Sequence, residues 1–394
     1  MSEINSSNFK KEHGDLAPDL VGVTELTSPY FFVPPSGTTA ERPSDCEPGT
    51  LRFNTDIGTL EVFRGKTIGW EQIQRVDNQY LGGGTGSNTG TGTRGFVMGG
   101  FGGGDPTAEE IKFITISTFG NSQDFGELTQ GSQAAFSGLG NRTNAFYAGG
   151  SQVPAGLNVI QKITVASTGN AVDYGDLTAG VRAGGAGVSN TTRAIVAGGN
   201  LGSPASNVIE YFSMLQSGNA VDYGDLSAAE EGLSGSVNSS TRGLIHGVGS
   251  YGGNTIEFIT MSSTGNSTDF GDMIQGVGGA AGGCNSTRGV IGGGLGASPV
   301  NQTNIIQFVT IATLGNSIDF GDLTQNRNGL SAMSSPTRTV FAGGGIFPSF
   351  YNVMDKIEIL TTGNAVDFGD LNDTGLTNGA TYNGNAVSNG HGGL

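Results

Sequence analysis

Short runs of alternating apolar and polar residues follow one another along this chain, separated by Gly, Asn, Ser and Pro. A period of two predicts β-strands joined by turns. One stretch shows the order. A Gly- and Ala-rich segment, Ala183 to Val188, predicts a first strand, and Asn190-Thr191-Thr192 predicts a turn. Arg193 to Ala197 predicts a second strand, closed by Gly198-Gly199, and Val208 to Met214 a third. Gly218-Asn219 reads as a two-residue hairpin turn into a fourth, Ala220 to Tyr223.

The same four-part pattern returns along residues 79–371, marked by an acidic motif that occurs six times. Asp124, Asp173, Asp222, Asp269, Asp319 and Asp367 are each followed by an aromatic, Gly, an acid and Leu or Met, at intervals of 47 to 50 residues. Four antiparallel strands per unit of roughly 50 residues is the pattern of a β-propeller blade. Strands nearest a central axis have little room, which suits the small residues of strands one and two. In strand three, Ile111, Ile160, Ile209, Ile256, Ile306 and Ile357 read as one register. The loops after each Gly-Gly pair differ in length and sequence, which places them on the surface.

Residues 1–49 hold several prolines and predict an extended attachment arm, with an apolar run at Tyr30, Phe31 and Phe32 that should dock on a partner. Residues 50–78 predict a small β module, with strands at Leu51–Asn54 and Leu60–Phe63. Residues 79–394 predict the propeller. Leu371 to Gly393 aligns without a gap to Leu128 to Gly150, which implies two strands of a further blade. The favoured closure is a seventh blade composed from both termini. The alternative has six blades, with the C-terminal strand completing the first and the β module outside.

The chain carries 34 acids against 18 basic residues, a formal net charge of −16. Such a surface disfavours nucleic acid and anionic membranes. No run of 18 apolar residues is present, so no membrane insertion is expected, and residues 1–13 do not resemble a signal peptide. Two cysteines make no disulfide framework. The three histidines lack metal-ligand spacing, and His246 reads as a core or rim residue. No cofactor is expected.

Two repeated sets of charged residues invite chemistry. The acid pairs offer too few oxygens each for calcium, and a turn or bulge at the fourth strand, with Gly175 at its centre, explains them better. Arg94, Arg142, Arg193, Arg242, Arg288 and Arg338 read as the first residue of strand two in each copy. Six guanidinium groups on one face could hold a carboxylate or phosphate. Strand four begins at the same end, so structural ion pairs between these arginines and Asp124, Asp173, Asp222, Asp269, Asp319 and Asp367 are the expectation. No asymmetric carboxylate pair of the kind glycosidases use stands out. Asn190-Thr191-Thr192 and Asn285-Ser286-Thr287 match glycosylation sequons but recur at one turn, which turn chemistry accounts for. The variable loops carry Tyr251, Phe347, Phe350 and Tyr351, candidate interaction residues, or else simple caps of the sheets.

Ser122-x-Asp124-x-Gly126, Ser267-x-Asp269-x-Gly271 and Ser317-x-Asp319-x-Gly321 resemble the Asp-box of sialidase-type propellers, a structural turn in that family. Arg193, Gly198-Gly199 and Val208-Ile209-Glu210-Tyr211 resemble a kelch repeat, although Tyr174 or Phe270 stands where kelch has tryptophan. A closer resemblance, covering nearly the whole chain, is to virion structural proteins of marine T4-like phages (cyanophages). It rests on Ser263 to Met273, on Pro34 to Pro43, and on Gly49 to Trp70, which is similar to tail-fibre modules. That resemblance implies a non-enzymatic virion protein made in the host cytoplasm, a fibre- or decoration-like appendage. Its implied partners are other virion proteins, through residues 1–78, and host-surface polysaccharide; a homo-oligomer is also compatible. The alternatives are a sialidase-like or polysaccharide-degrading propeller enzyme and a kelch-like adaptor.

Overall fold

The computed structural model describes residues 34–56, 59–67, 69–72, 93–101, 109–131, 138–152, 155–178, 184–200, 205–230, 235–248, 252–296, 301–371 and 381–394. The chain divides into two compact units, Met1–Val76 and Asp77–Leu394. Tyr30, Phe31, Phe32 and Tyr251 lie outside the described residues.

In the first unit, Leu51–Asn54, Thr59–Phe63 and Trp70–Gln72 form an antiparallel meander, with Ser36–Gly37 added in parallel on Leu51–Asn54. The described part of the predicted arm is thus built into the β module. A polar cluster holds it there. Arg42 pairs with Glu61, which is fully buried and also accepts from Asn54 Nδ2 at 3.1 Å. The Arg42 hydrogen bond holds the Glu61 carboxyl below its usual range. Trp70 Nε1 donates to the Pro43 carbonyl at 2.9 Å, and the Arg52 guanidinium lies over the same indole.

The second unit is all-β among its described residues and propeller-like, an array of antiparallel sheets. The first sheet runs in the order Asn385–Ser388, Arg94–Met98, Glu110–Thr115, Gln123–Glu127. The second has Asn144–Ala148, Val159–Thr164 and Val172–Asp176. Leu139 stands in place of its first strand, accepting from Phe146 N–H at 2.8 Å. The third is Ala186–Ser189, Arg193–Ala197, Ser206–Ser213 and Val221–Glu230, and the fourth is Ser236–Asn238, Arg242–Val248, Thr255–Thr260 and Thr268–Asp272. The fifth is Ala281–Cys284, Arg288–Gly292, Ile305–Thr310 and Ile318–Asp322. The sixth is Ser331–Ser334, Arg338–Ala342, Val353–Glu358 and Val366–Asp370.

Among the described residues the composite sheet expected from both termini is not seen. The N-terminal strands make their own sheet, and the described C-terminal residues give the first repeat sheet one strand. Asn385–Ser388 pairs with Arg94–Met98, placing Val387 opposite Phe96 as Leu139 is bonded to Phe146. The gapless alignment of Leu371–Gly393 was therefore out of register. The turn beyond this strand also spans the two ends of the repeat region: Asn389 Oδ1 accepts Arg94 N–H at 2.8 Å, as Asn190 does for Arg193 and Asn285 for Arg288.

Apolar cores lie between successive sheets rather than within them. Ile111, Phe125 and Phe96 of the first sheet pack with Ala145, Tyr147 and Ile163 of the second. Met354 and Phe368 of the sixth pack with Val97, Ile114 and Ala386 of the first. Ile111, Ile160, Ile209, Ile256 and Ile306 do share a register, each opposite a bulge glycine. The sixth member is Met354, opposite Gly369, not Ile357, which lies opposite Thr339. All six buried side chains are fully enclosed, and each contributes about 1.5–3 kcal/mol. The first strands of neighbouring sheets lie against one another. A Cβ on Gly282, in the first strand of the fifth sheet, would sit 2.4 Å from the Ser236 carbonyl oxygen in the first strand of the fourth, which explains why these strands are poor in side chains.

Candidate functional site

The repeated acidic motif is a latch between sheets. Gly169 N–H donates to the Phe125 carbonyl and Ala171 N–H to the Glu127 carbonyl, both at 2.8 Å. In return Glu127 N–H donates to Asn170 Oδ1. The same set joins each sheet to the next, and it joins the sixth to the first through Gly120, Ser122 and Asn121 against Phe368 and Asp370. The aromatic-Gly-acid sequence offers the outer strand, and the Gly-Asn sequence of the next copy pairs with it. Gly218-Asn219 is therefore no two-residue hairpin turn. Its neighbour glycine is required by proximity: a Cβ on Gly321 would lie 2.5 Å from the Gly363 carbonyl carbon and oxygen. The expected bulge is present, with the register shifting between Ile160 and Gln161 opposite Gly175.

The arginines do not pair with the motif aspartates. Asp124, Asp173, Asp222, Asp269, Asp319 and Asp367 are exposed. Each guanidinium instead reaches a backbone carbonyl of the following sheet: Arg94 to Val165 at 2.7 Å, Arg193 to Met261 at 3.1 Å, Arg242 to Ile311 at 3.0 Å, Arg288 to Ile359 at 2.9 Å. Arg338 of the sixth sheet reaches Ile116 of the first at 2.9 Å and also pairs with Glu358. Four of them lie over the strand-three aromatics Phe113, Tyr211, Phe258 and Phe308. A carbonyl that would otherwise end its strand unpaired is a good acceptor for a half-buried cation. Arg142 is not part of this set, because Asn144 occupies the register position and Arg142 sits in the turn before it. Arg288→Ala should therefore cost about 2 kcal/mol, while Asp319→Ala stays within about 0.5 kcal/mol. Urea unfolding of the two variants measures this, and equal losses would restore the ion-pair reading.

A third repeated position escaped the sequence reading. One residue after the register isoleucine, or after Met354 in the sixth sheet, Gln161, Glu210, Glu257, Gln307 and Asp355 are buried in otherwise apolar strands. Each accepts from the segment just past the preceding latch. Glu210 takes Thr178 N–H at 3.1 Å and Thr178 O–H at 2.8 Å; Asp355 takes Thr324 in the same way. Asp355 also pairs at 2.9 Å with Arg327, which is itself fully buried and donates to the carbonyls of Gly343 and Val353. The available signal was a polar residue in the middle of an apolar strand, repeated at fixed distance from the isoleucine.

With the charged repeats absorbed into the framework, the loop-bearing face remains. Segments leading into the first strands meet there around a cavity of about 160 Å³, lined by Gly187, Ser236, Asn328, Ser331, Tyr382 and Asn383 among others. No acidic or basic side chain lines it among the described residues. Asn328 Nδ2 donates to Tyr382 Oη at 2.9 Å, while Asn328 Oδ1 has no partner. Tyr382 packs on Phe350 with ring centroids 5.2 Å apart. Phe350 packs in turn on Phe101 at 5.2 Å and on Phe347 at 6.3 Å. Phe347 is 76% exposed. Of the expected interaction residues, Phe347 and Phe350 thus join this cluster, and Tyr351 lies half-buried beside it. Phe101, Asn328 and Tyr382 were not foreseen.

The opposite end of the first strands is filled by the C-terminal residues. His391 donates from Nε2 to the Gly140 carbonyl at 2.9 Å, and its Nδ1 accepts Gly393 N–H at 3.2 Å. Cβ atoms on Gly392 and Gly393 would strike the carbonyls of Asn285 and Ser189 at 2.1 and 2.0 Å. His246, in the second strand of the fourth sheet, is fully enclosed with neither ring nitrogen bonded. Burial lowers both histidines to a pKa of about 4. No group of three metal-ligating side chains converges among the described residues. No family model matches the chain, and no curated protein matches it.

Proposed function

We propose that this chain is a non-enzymatic phage virion appendage: a closed six-bladed propeller on an N-terminal attachment module, presenting its loop face to host-surface glycan. The observation that carries this reading is where the repeated charges go. The arginines and acidic motifs, the most chemically suggestive residues of the sequence, are engaged in joining one sheet to the next. Closure is supported by the latch, the Arg338 bond and the shared core that link the sixth sheet to the first. An anion-binding ring of the sialidase kind loses its cations, since these five guanidinium groups already hold carbonyls. What varies between copies is the loop face, and that is where the aromatic cluster lies.

The resemblance to virion proteins supplies the setting, with residues 1–78 as the part that meets other virion proteins. Cryo-EM of purified particles tests the proposal. Density for the propeller on the outside of the particle is the expected result. Its absence from particles, or a location inside the capsid, ends the reading.

A further inference from the structure

Resting on that reading, we infer that the cavity bounded by Asn328, Tyr382 and Asn383 is a binding site for the end of an uncharged glycan, with Phe347 and Phe350 as its outer wall. The argument begins with what the cavity lacks. The chain has 52 formally charged side chains by the sum of 34 acids and 18 bases, yet none of them lines this space among the described residues. An acidic sugar would enter without a cation to meet it, and desolvating an unpaired carboxylate is strongly unfavourable. An uncharged sugar has no such penalty, and its hydroxyls need both donors and acceptors.

The cavity supplies both. Asn328 is only 4% exposed, and its Oδ1 has no hydrogen-bond partner. A buried amide oxygen left alone is unfavourable, so a ligand O–H that reaches it gains more than a solvated acceptor would offer. Tyr382 Oη accepts from Asn328 Nδ2, which leaves its own O–H available to donate. Asn383 follows with a φ of 53°, a left-handed conformation that is uncommon for a residue with a side chain and clusters at binding sites. Its backbone is tied to Gly329, on the same side as Asn328, by a 2.8 Å bond.

The wall supplies the rest. Tyr382, Phe350 and Phe347 form a continuous row of rings from the cavity edge to solvent. The C–H faces of a pyranose are apolar and pack on such rings, while its edge hydroxyls point to the amide and phenol. A cavity of about 160 Å³ admits no more than one sugar ring, so recognition is of a chain end.

The full-length protein, titrated by saturation-transfer NMR and calorimetry, should bind neutral oligosaccharides built from glucose, galactose or N-acetylglucosamine. It should not bind oligosaccharides ending in sialic or glucuronic acid. Phe347→Ala should weaken binding at least fivefold with the unfolding midpoint unchanged; Tyr382→Phe should weaken it at least fivefold and also lower the midpoint, because the buried Asn328 Nδ2 loses its acceptor. Preference for the acidic sugars, or neutral binding that survives both substitutions, overturns this site while leaving a displayed glycan binder standing. Binding to no glycan at all overturns the site and the glycan-binding part of the functional reading together.

Discussion

Removing Asn385–Leu394 should abolish cooperative unfolding of the repeat region at 25 °C. This segment is the first strand of the first sheet and the plug beyond it. Ala386 and Val387 are buried in two different inter-sheet cores. Ser388 exchanges bonds with Ser334 of the sixth sheet, and Asn389 caps Arg94. Losing these side chains costs about 2–4 kcal/mol in apolar burial. The lost ladder and cap bonds add about 1 kcal/mol each. That total is comparable to the whole stability of an ordinary domain, about 5–15 kcal/mol. Circular dichroism during heating reads the result directly. Adding a synthetic peptide of residues 385–394 should restore a cooperative transition, because the vacated edge is complementary to it. Deleting only Gly392–Leu394 should cost far less, since the strand remains. A shortened chain that melts like the parent would refute the role given to this strand.

Acidification from pH 7.5 to pH 5 should destabilise the protein by about 4 kcal/mol, about 2 kcal/mol for each of two histidines. His246 and His391 are neutral and buried, with folded pKa values of about 4 against an ordinary 6.5. Between those values the unfolded chain binds protons that the folded chain refuses. Stability therefore rises with pH through this window and is lost as pH falls. Above pH 6.5 both states are neutral at these sites and the effect vanishes. The perturbed carboxyls, Glu41, Glu61 and Glu358, are lowered from 4.5 and act only at lower pH. Urea unfolding at pH 7.5 and pH 5 separates the two. His246→Leu should remove half of the difference. His391→Gln, which keeps a donor for the Gly140 carbonyl, should remove the other half. A double variant with the parent's pH dependence would show that other groups are responsible.

The strands, their order within each repeat and the bulge at Gly175 were legible because period-two alternation and glycine placement are local signals. The Asn190 and Asn285 turns were legible for the same reason. What was not legible depended on partners from another sheet. Arg288, with the other arginines, was matched to the set of motif aspartates because both sets are charged and lie at one end of the repeats. Its actual acceptor is the Ile359 carbonyl, and a backbone oxygen leaves no mark in sequence. Arg142 was read as the first residue of strand two, although alignment on the Gly149-Gly150 pair puts Asn144 at that position. The C-terminal strand was recoverable. Val387-Ser388-Asn389 repeats Val188-Ser189-Asn190 word for word, and that match fixes the register the longer alignment missed. The cavity could not be read beforehand, since Phe101, Asn328 and Tyr382 come from three separate connections.

The bond between Arg94 and Asn389 spans 295 residues. Loop-closure entropy grows only logarithmically, so bringing these ends together costs about 1.6 kcal/mol more than joining residues one repeat apart. The kinetic consequence is larger. Local hairpins and latches can assemble progressively, whereas the last pairing waits for the entire array to be in place. Until then two raw β-edges coexist, and at high concentration the terminal strand of one molecule can complete a neighbour instead of itself. Refolding yield should for that reason depend on dilution far more than the equilibrium stability does.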